Sequence, residues 1–432
     1  MTPSTAGHAS RRPAVPASGP EHAVPADGPL RAGPADGPLR AGPAAGPETS
    51  EWRPRASGRK RGGRVPEIDL VRVVTFAAVV AVHAVGSSAA ALDVGGNAAL
   101  MLLHYTRSAF FVFMAIVLVR SAERSGRTGK LRRRLALVGV PYLAWSVIYL
   151  VISWATGGRQ APWDGAWQAL LTGTAWYHLY FLLVTMQFYV VLPAFVWILR
   201  RSRRHPWALL GASLAVAVIV TAWLHYGQWA PGPLGTYRTY AAELLPTYVF
   251  LFVVGGVAAL HLDAVLDWLT EHRRAVLLGA FAGAVAMEIL YFVSVATGTR
   301  ADLASDPVQP VMQLWAVVLV AGLGAAATRW TDAGAPHLRW VDRASDLSFG
   351  VYLVHPLLLL WLFQLPWATG LSAAITISVA TVLALAGSLL FTEVARRTPA
   401  SLPLTGRARR RSQKSQPDTE PRQPEPALPW KA

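Results

Sequence analysis

Long apolar blocks alternate along this chain with short polar connections that are mostly basic. Ten blocks stand out, at roughly 67–92, 98–119, 135–156, 176–199, 206–226, 240–261, 274–297, 307–328, 346–365 and 370–394. Each is long enough to cross a hydrocarbon layer ~30 Å thick at ~1.5 Å of rise per helical residue. In lipid the backbone must satisfy its own hydrogen bonds, so the pattern predicts helices. Trp154, Trp176, Trp207, Trp229, Trp330, Trp340 and Trp367 fall near block ends, where interfacial aromatics belong. The expected fold class is all-α: a polytopic membrane helix bundle of about ten transmembrane helices, over residues 66–395.

The two ends read differently. Residues 1–65 are rich in Ala, Pro, Gly and Arg and carry a tandem repeat, ADGPLRAGP at 26–34 and again at 35–43. Such a composition cannot bury a core, which predicts a disordered tail. Residues 396–432, with RARRRSQK and then a Pro/Glu-rich stretch, predict a second one. The first 65 residues hold no apolar core, so no signal peptide is expected.

Composition changes the picture mainly through where charge sits. Hydrophobic residues make up 53% of the chain and charged residues 15%, against roughly a quarter charged in soluble domains. The net charge of +16 would suit nucleic acid, but its distribution argues against that partner. With the N-terminus inside, 29 Lys and Arg flank the spans on the inner side, whereas the outer loops hold only Arg159, Arg238 and Arg300. That asymmetry places both termini in the cytoplasm of a multi-pass plasma-membrane protein. The absence of Cys excludes disulfides, thiolate chemistry and Cys-ligated metal, and no metal site is expected.

Polar residues inside the spans are the candidates for chemistry, because ionisable groups are costly there. In VRVVTFAAVVAVHAV (71–85), Arg72 and His83 are eleven positions apart. Eleven steps of 100° leave them about 20° apart on one face and roughly 16 Å apart along the axis. Arg72 lies near the inner end, where it could instead snorkel to headgroups, and His83 in the outer half, where an interhelical hydrogen bond is the plainer reading. In the second block His104 and Arg107 share a face, and Arg107 near the midplane needs an anion or backbone carbonyls. Glu243, Glu288 or Asp69 would serve as its partner. His178 opens the fourth block near the outer surface, where an interfacial anchor is the simpler role. His355 precedes Pro356 in the ninth, which predicts a kink beside a buried imidazole. No Walker loop, dinucleotide fingerprint, HExxH or nucleophile elbow is present. A polar interior of Arg and His fits a transporter or flippase of an acyl donor or lipid-linked glycan as readily as an enzyme.

Five stretches go further. EIDLVRVVTFAAVVAVHAV, RSAFFVFMAIVLV, RRRLALVGVPYLAWSVIY, HLYFLLVTMQFYVVLPAF and LSFGVYLVHPLLL follow one another in that order. Together they resemble the membrane acyltransferase-3 family over about 67–394: an Arg and a His with ten residues between them in the first helix, an Arg in the second, and a late Ser-Phe-Gly-x-Tyr-Leu-x-His-Pro signature. The resemblance implies acyl transfer from cytoplasmic acyl-CoA, often acetyl-CoA, as co-substrate with no bound cofactor. The acceptor would be a hydroxyl of a sugar, cell-envelope glycan, lipid or metabolite. It carries functional roles onto Arg72, His83, Arg107 and His355. Two positions depart from the family: Met114-Ala115 stands where Ser-Gly is usual, and Tyr180 replaces a Trp.

On this reading imidazole supplies the base for a hydroxyl proton, and cations serve the CoA phosphates and the developing oxyanion. Arg72 is the expected donor-binding residue. His83, Arg107, His355 and His178 are the expected catalytic set, with Glu243 and Glu288 as carboxylate partners. His83 as general base and His83 as a transient acyl carrier both remain open.

Overall fold

The computed structural model describes residues 64–88, 90, 93–125, 131–227 and 231–409. Residues 1–63 and 410–432, on which most of both predicted tails falls, lie outside them. Among the described residues there is no strand, and nine helices are long and apolar enough to cross a membrane. The protein is a multi-pass membrane helix bundle.

Eight of the nine spans are single helices. They are α1 (Pro66–Gly86), α4 (Leu131–Ala155), α6 (Tyr180–Arg201), α7 (Pro206–Tyr226), α11 (Arg273–Ala296), α13 (Val311–Asp332), α14 (Leu338–Gln364) and α15 (Ala373–Ala395). The ninth is α2 (Val94–Leu103) followed after His104 by α3 (Tyr105–Ser125). Shorter pieces fill the connections: α5 (Ala166–Thr172), α8 (Pro233–Thr239) and α12 (Ala301–Ala304). The sixth predicted span is not one helix. Residues 241–248 form two 3-10 turns around Pro246, α9 (Val249–Leu260) follows, and α10 (Leu262–Glu271) leaves at 90°. Pro246 cannot donate a backbone hydrogen bond, which is why an α-helix does not begin before it. Glu243 therefore sits on a turn and not within a membrane helix.

Burial separates inner from outer helices. The span through α2 and α3 buries 61% of its apolar window, whereas α7, α11 and α15 bury 17%. The peripheral helices are apolar all round, as lipid-facing helices must be. Close approach in the centre depends on small residues. A Cβ on Gly255 of α9 would lie 2.3 Å from the Val112 carbonyl and 2.7 Å from the Ala115 Cβ of α3. Ala115, one of the two departures from the family pattern, is thus small enough for α9 to seat, and Met114 packs beside the same core.

The chain does not end at α15. α16 (Ser401–Thr405) folds back against α4, α14 and α15. Trp145 Nε1 donates to the Leu404 carbonyl at 3.2 Å, and Ser401 Oγ donates to the Arg407 carbonyl at 2.8 Å. Gly406 closes α16 at φ +65°, with the Phe349 ring where a side chain would otherwise stand. The predicted tail thus begins later than residue 396. A five-residue apolar hook is too short to register in a hydropathy window and becomes visible only through what it packs against.

Candidate active site

Helix α1 runs unbroken through Arg72 and His83, so the eleven-residue spacing holds in three dimensions. The two residues mark opposite ends of the site.

At the His83 end three imidazoles converge. His83 and His355 stack with ring centroids 5.2 Å apart, and His178 meets His355 edge-on at 5.7 Å. His178 is 1% exposed and His355 fully buried, while His83 keeps partial exposure. Aromatic residues enclose them. Tyr177 lies 4.8 Å from the His83 ring, and Tyr352 and Tyr149 lie 5.2 and 5.3 Å from His178. Tyr149 Oη donates to the Leu353 carbonyl at 2.8 Å, and Tyr352 Oη donates to the carbonyl of His178. His355 Nδ1 is 3.2 Å from the Val351 carbonyl one turn back. That contact directs the ring's other nitrogen away from its own helix; among the described residues neither His355 Nε2 nor the His178 ring has a side-chain hydrogen-bond partner, and His178 faces the Leu353 backbone. Pro356, where a kink is predicted, lies inside α14, which continues as one helix to Gln364. Both flanking turns are packed, and the side chain of His355 still meets the preceding turn.

The late motif can now be read residue by residue. Phe349 covers Gly406 of the hook. Gly350 admits α15, since a Cβ there would meet Thr392 Cγ2 at 2.3 Å. Tyr352 ties α14 to the turn before α6, and His355 joins the cluster. In α4, Tyr142 Oη donates to the Leu170 carbonyl of α5 at 2.5 Å, while Trp145 holds the hook.

Arg107 stands outside the histidine cluster. Its Nη2 donates to the Pro307 carbonyl at 2.8 Å, its guanidinium lies 5.6 Å from the Tyr248 ring, and it hydrogen-bonds Tyr180. The backbone carbonyls foreseen for it are there. Tyr180, the departure from the family's Trp, supplies a hydroxyl to it. His104 anchors on the same loop, through Nδ1 to the Ser305 carbonyl at 2.8 Å. Among the described residues no carboxylate oxygen lies within 4 Å of Arg107. Glu243 comes within its electrostatic reach, but Glu243 Oε2 is buried without a partner. Two expected partners lie elsewhere. Asp69 is at the far end of α1, and Glu288 lines an open apolar groove on α11 with Leu102, Ile289 and Phe292. Glu288 is half-buried there, and the lining of that groove includes none of the three imidazoles.

At the Arg72 end the charges are paired. Arg72 Nη1 donates to Ser345 Oγ at 3.3 Å and lies 3.9 Å from Asp69 Oδ1. Ser345 Oγ donates to that same carboxylate oxygen at 2.6 Å, and Arg64 Nε reaches Asp69 Oδ2 at 2.5 Å. Beside them opens a cavity of about 490 Å³, lined by Arg64, Asp69, Arg72, Arg120 and Arg124. The lining holds four arginines and one carboxylate, while Arg64 also lies 3.4 Å from Asp342 Oδ1 and 3.8 Å from Asp346 Oδ1; the remaining excess of cations suits a polyanionic ligand. Hydropathy and spacing single out Arg72 alone here. Arg64, Arg120 and Arg124 look like ordinary flanking charges until the helices assemble. Tyr177 and Tyr352 were likewise hidden among interfacial and core aromatics. Among the described residues no group of three His, Asp or Glu is arranged to hold a metal ion.

The model of the acyltransferase-3 family, described as an acyltransferase domain, matches residues 65–393, the whole membrane bundle from the start of α1 to the end of α15. No curated protein and no solved structure matches the chain. The chain belongs to the acyltransferase-3 family and is a membrane acyltransferase.

Proposed function

We propose that the protein transfers an acyl group, in the first place acetyl, from cytoplasmic acyl-CoA to a hydroxyl group presented from the other side of the plasma membrane. Both termini are then cytoplasmic, as the bias of 29 inner against three outer basic residues supports. The CoA phosphates bind in the cavity at Arg72, with Arg64, Arg120 and Arg124. The pantetheine arm extends along the α1 face toward His83, roughly 16 Å away. The hydroxyl oxygen of the acceptor attacks the thioester carbonyl carbon while His83 takes its proton. Arg107 supplies positive field for the developing oxyanion. When the tetrahedral intermediate collapses the C–S bond breaks, and the CoA sulfur takes up the proton held by His83. His355 stacks on His83 and orients it, and His178 backs His355. Direct transfer needs one base, and His83 alone of the three keeps exposure to meet an acceptor.

The observation that carries this reading is the separation on one helix of a four-arginine cavity from a cluster of three imidazoles. Membranes containing the protein, given radiolabelled acetyl-CoA, should yield a covalently labelled acceptor, and His83→Ala membranes should not. Equal labelling in both would remove His83 from the chemistry. Absence of any labelled product in wild type would refute the acetyl-CoA reading.

A further inference from the structure

The connection between α12 and α13 holds the polar side chains of the α2–α3 span. The Ser305 carbonyl takes His104 Nδ1 and the Pro307 carbonyl takes Arg107 Nη2, both at 2.8 Å. The residue between these two carbonyls is Asp306, to which none of the roles above is given. Its carboxylate is shared. Oδ1 accepts from the Val308 backbone N–H at 2.9 Å and closes a side-chain turn. Oδ2 accepts from Nδ1 of His225, in the last turn of α7, at 2.8 Å. An ionised carboxylate only accepts, so the shared proton sits on Nδ1. The His225 side chain is 12% and the Asp306 side chain 25% exposed, so the bond is better shielded than a surface pair, which contributes little. From the other side Ser305 Oγ donates to Asn97 Oδ1 of α2 at 2.8 Å. Asp306 is within electrostatic reach of both Arg107 and His104, yet among the described residues it makes no ion pair with Arg107.

We propose that Asp306, locked by His225, is the positioning residue for Arg107. It shapes the turn whose carbonyl aims the guanidinium, and it supports that charge from a distance without cancelling it. The inference rests on the role given to Arg107 in acyl transfer. A carboxylate in direct contact would neutralise the guanidinium and leave little field for an oxyanion. Neutral carbonyl dipoles hold it in place instead, and a group already in place needs no reorganisation during the reaction. The sequence Asp306-Pro307 suits this work. Pro307 has no N–H to compete for the carboxylate, and it biases the residue before it to extended backbone. His225 fixes the turn to α7, so Arg107 is aimed by a connection tied at both sides. Positioning of this kind matters because a displacement of about 1 Å can cost roughly 10²-fold in rate.

A double-mutant cycle tests this, read as initial rates of transfer from radiolabelled acetyl-CoA in membranes matched for protein amount. Asp306→Ala should lower kcat roughly tenfold, with the KM for acetyl-CoA within about twofold of wild type. Arg107→Gln alone should be slower by roughly 10²-fold. In that background Asp306→Ala should change the rate by less than about twofold, because the group it positions is gone. His225→Ala should lose rate in the same way, and His225→Asn, whose amide nitrogen stands where Nδ1 does, should recover most of it. If Asp306→Ala does not accumulate, Asp306→Asn takes its place in the cycle. It keeps an acceptor for Val308 and should lose about threefold in kcat, again only where Arg107 is present. Equal losses with and without Arg107 would overturn the proposal, since a turn that merely supports the fold would give them. So would a raised KM with unchanged kcat, or His225→Asn no better than His225→Ala. Failure of wild type to label anything, or a wild-type rate in Arg107→Gln, would instead strike the acyl-transfer reading from which the proposal follows.

Discussion

The two ends of α1 handle polarity in opposite ways. Around Arg72 charge is paired in part: Asp69 takes Arg64, Arg72 and the Ser345 hydroxyl, while Arg120 and Arg124 add to the positive side of the open cavity beside them. Around His83 nothing is neutralised, because imidazole need carry no charge. Three rings are packed among tyrosines, and among the described residues the rings of His178 and His355 have no side-chain hydrogen-bond partner. A site that binds a highly charged molecule can sit at the aqueous edge, where cations are cheap to keep. A site that moves protons works better in a dry, low-dielectric packing, where a neutral base meets its substrate without competing water. One helix connects the two, so on the proposed mechanism the fold holds binding and chemistry at a fixed separation.

The sharpest way to break this contrast is at His83. With Ala there, transfer of label from acyl-CoA should fall roughly 10²–10⁴-fold, the usual loss for a general base, while protein yield and acyl-CoA binding hold steady. Loss of acyl-CoA binding instead would make the cluster a binding site. Next in size is Arg72→Gln. It should raise the KM for acyl-CoA roughly 10–100-fold, in line with a charged hydrogen bond worth about 1.5–3 kcal/mol. Titrating acyl-CoA against initial rate would read it, and kcat should stay within a few-fold. A collapse of kcat with unchanged KM would place Arg72 in the chemistry. Gly350→Val tests whether the late motif serves packing as well as the site. The added methyls meet Thr392, and overpacking should cost about 1–3 kcal/mol, seen as a lower unfolding temperature in detergent. Smallest is Tyr352→Phe, which removes the bond to the His178 carbonyl. It should cost about 1 kcal/mol of stability and slow transfer only a few-fold, because the ring that walls the cluster remains.

How much of this was readable in advance depended on the range of the interaction. The spans and the shared face of Arg72 and His83 are local consequences of length and helical period: nine of the ten predicted spans are there among the described residues, the sixth is a bent pair, and the shared face holds in α1. The meeting of His83 with His178 and His355 joins residues far apart in the chain. No periodicity encodes it: His355 stood out as an imidazole inside a span, before Pro356, and through the family resemblance, but neither signal put it against His83. Glu288 shows the complementary gap. Depth along α11 could be read from the chain, but rotation could not, since a helix apolar on every side has no stripe to tell bundle from lipid. The hook at Ser401–Thr405 was masked by the basic composition around it. Tyr177 resembled any interfacial aromatic beside Trp176 until its ring was placed against His83.

The division of labour along α1 is the central claim, and one experiment addresses it directly. Single-turnover transfer would be measured at saturating labelled acyl-CoA for wild type, His83→Ala and Arg72→Gln side by side. The account predicts that saturation restores Arg72→Gln to near the wild-type rate, while His83→Ala stays depressed at every concentration. Rescue of His83→Ala by excess donor, with Arg72→Gln remaining slow, would contradict it.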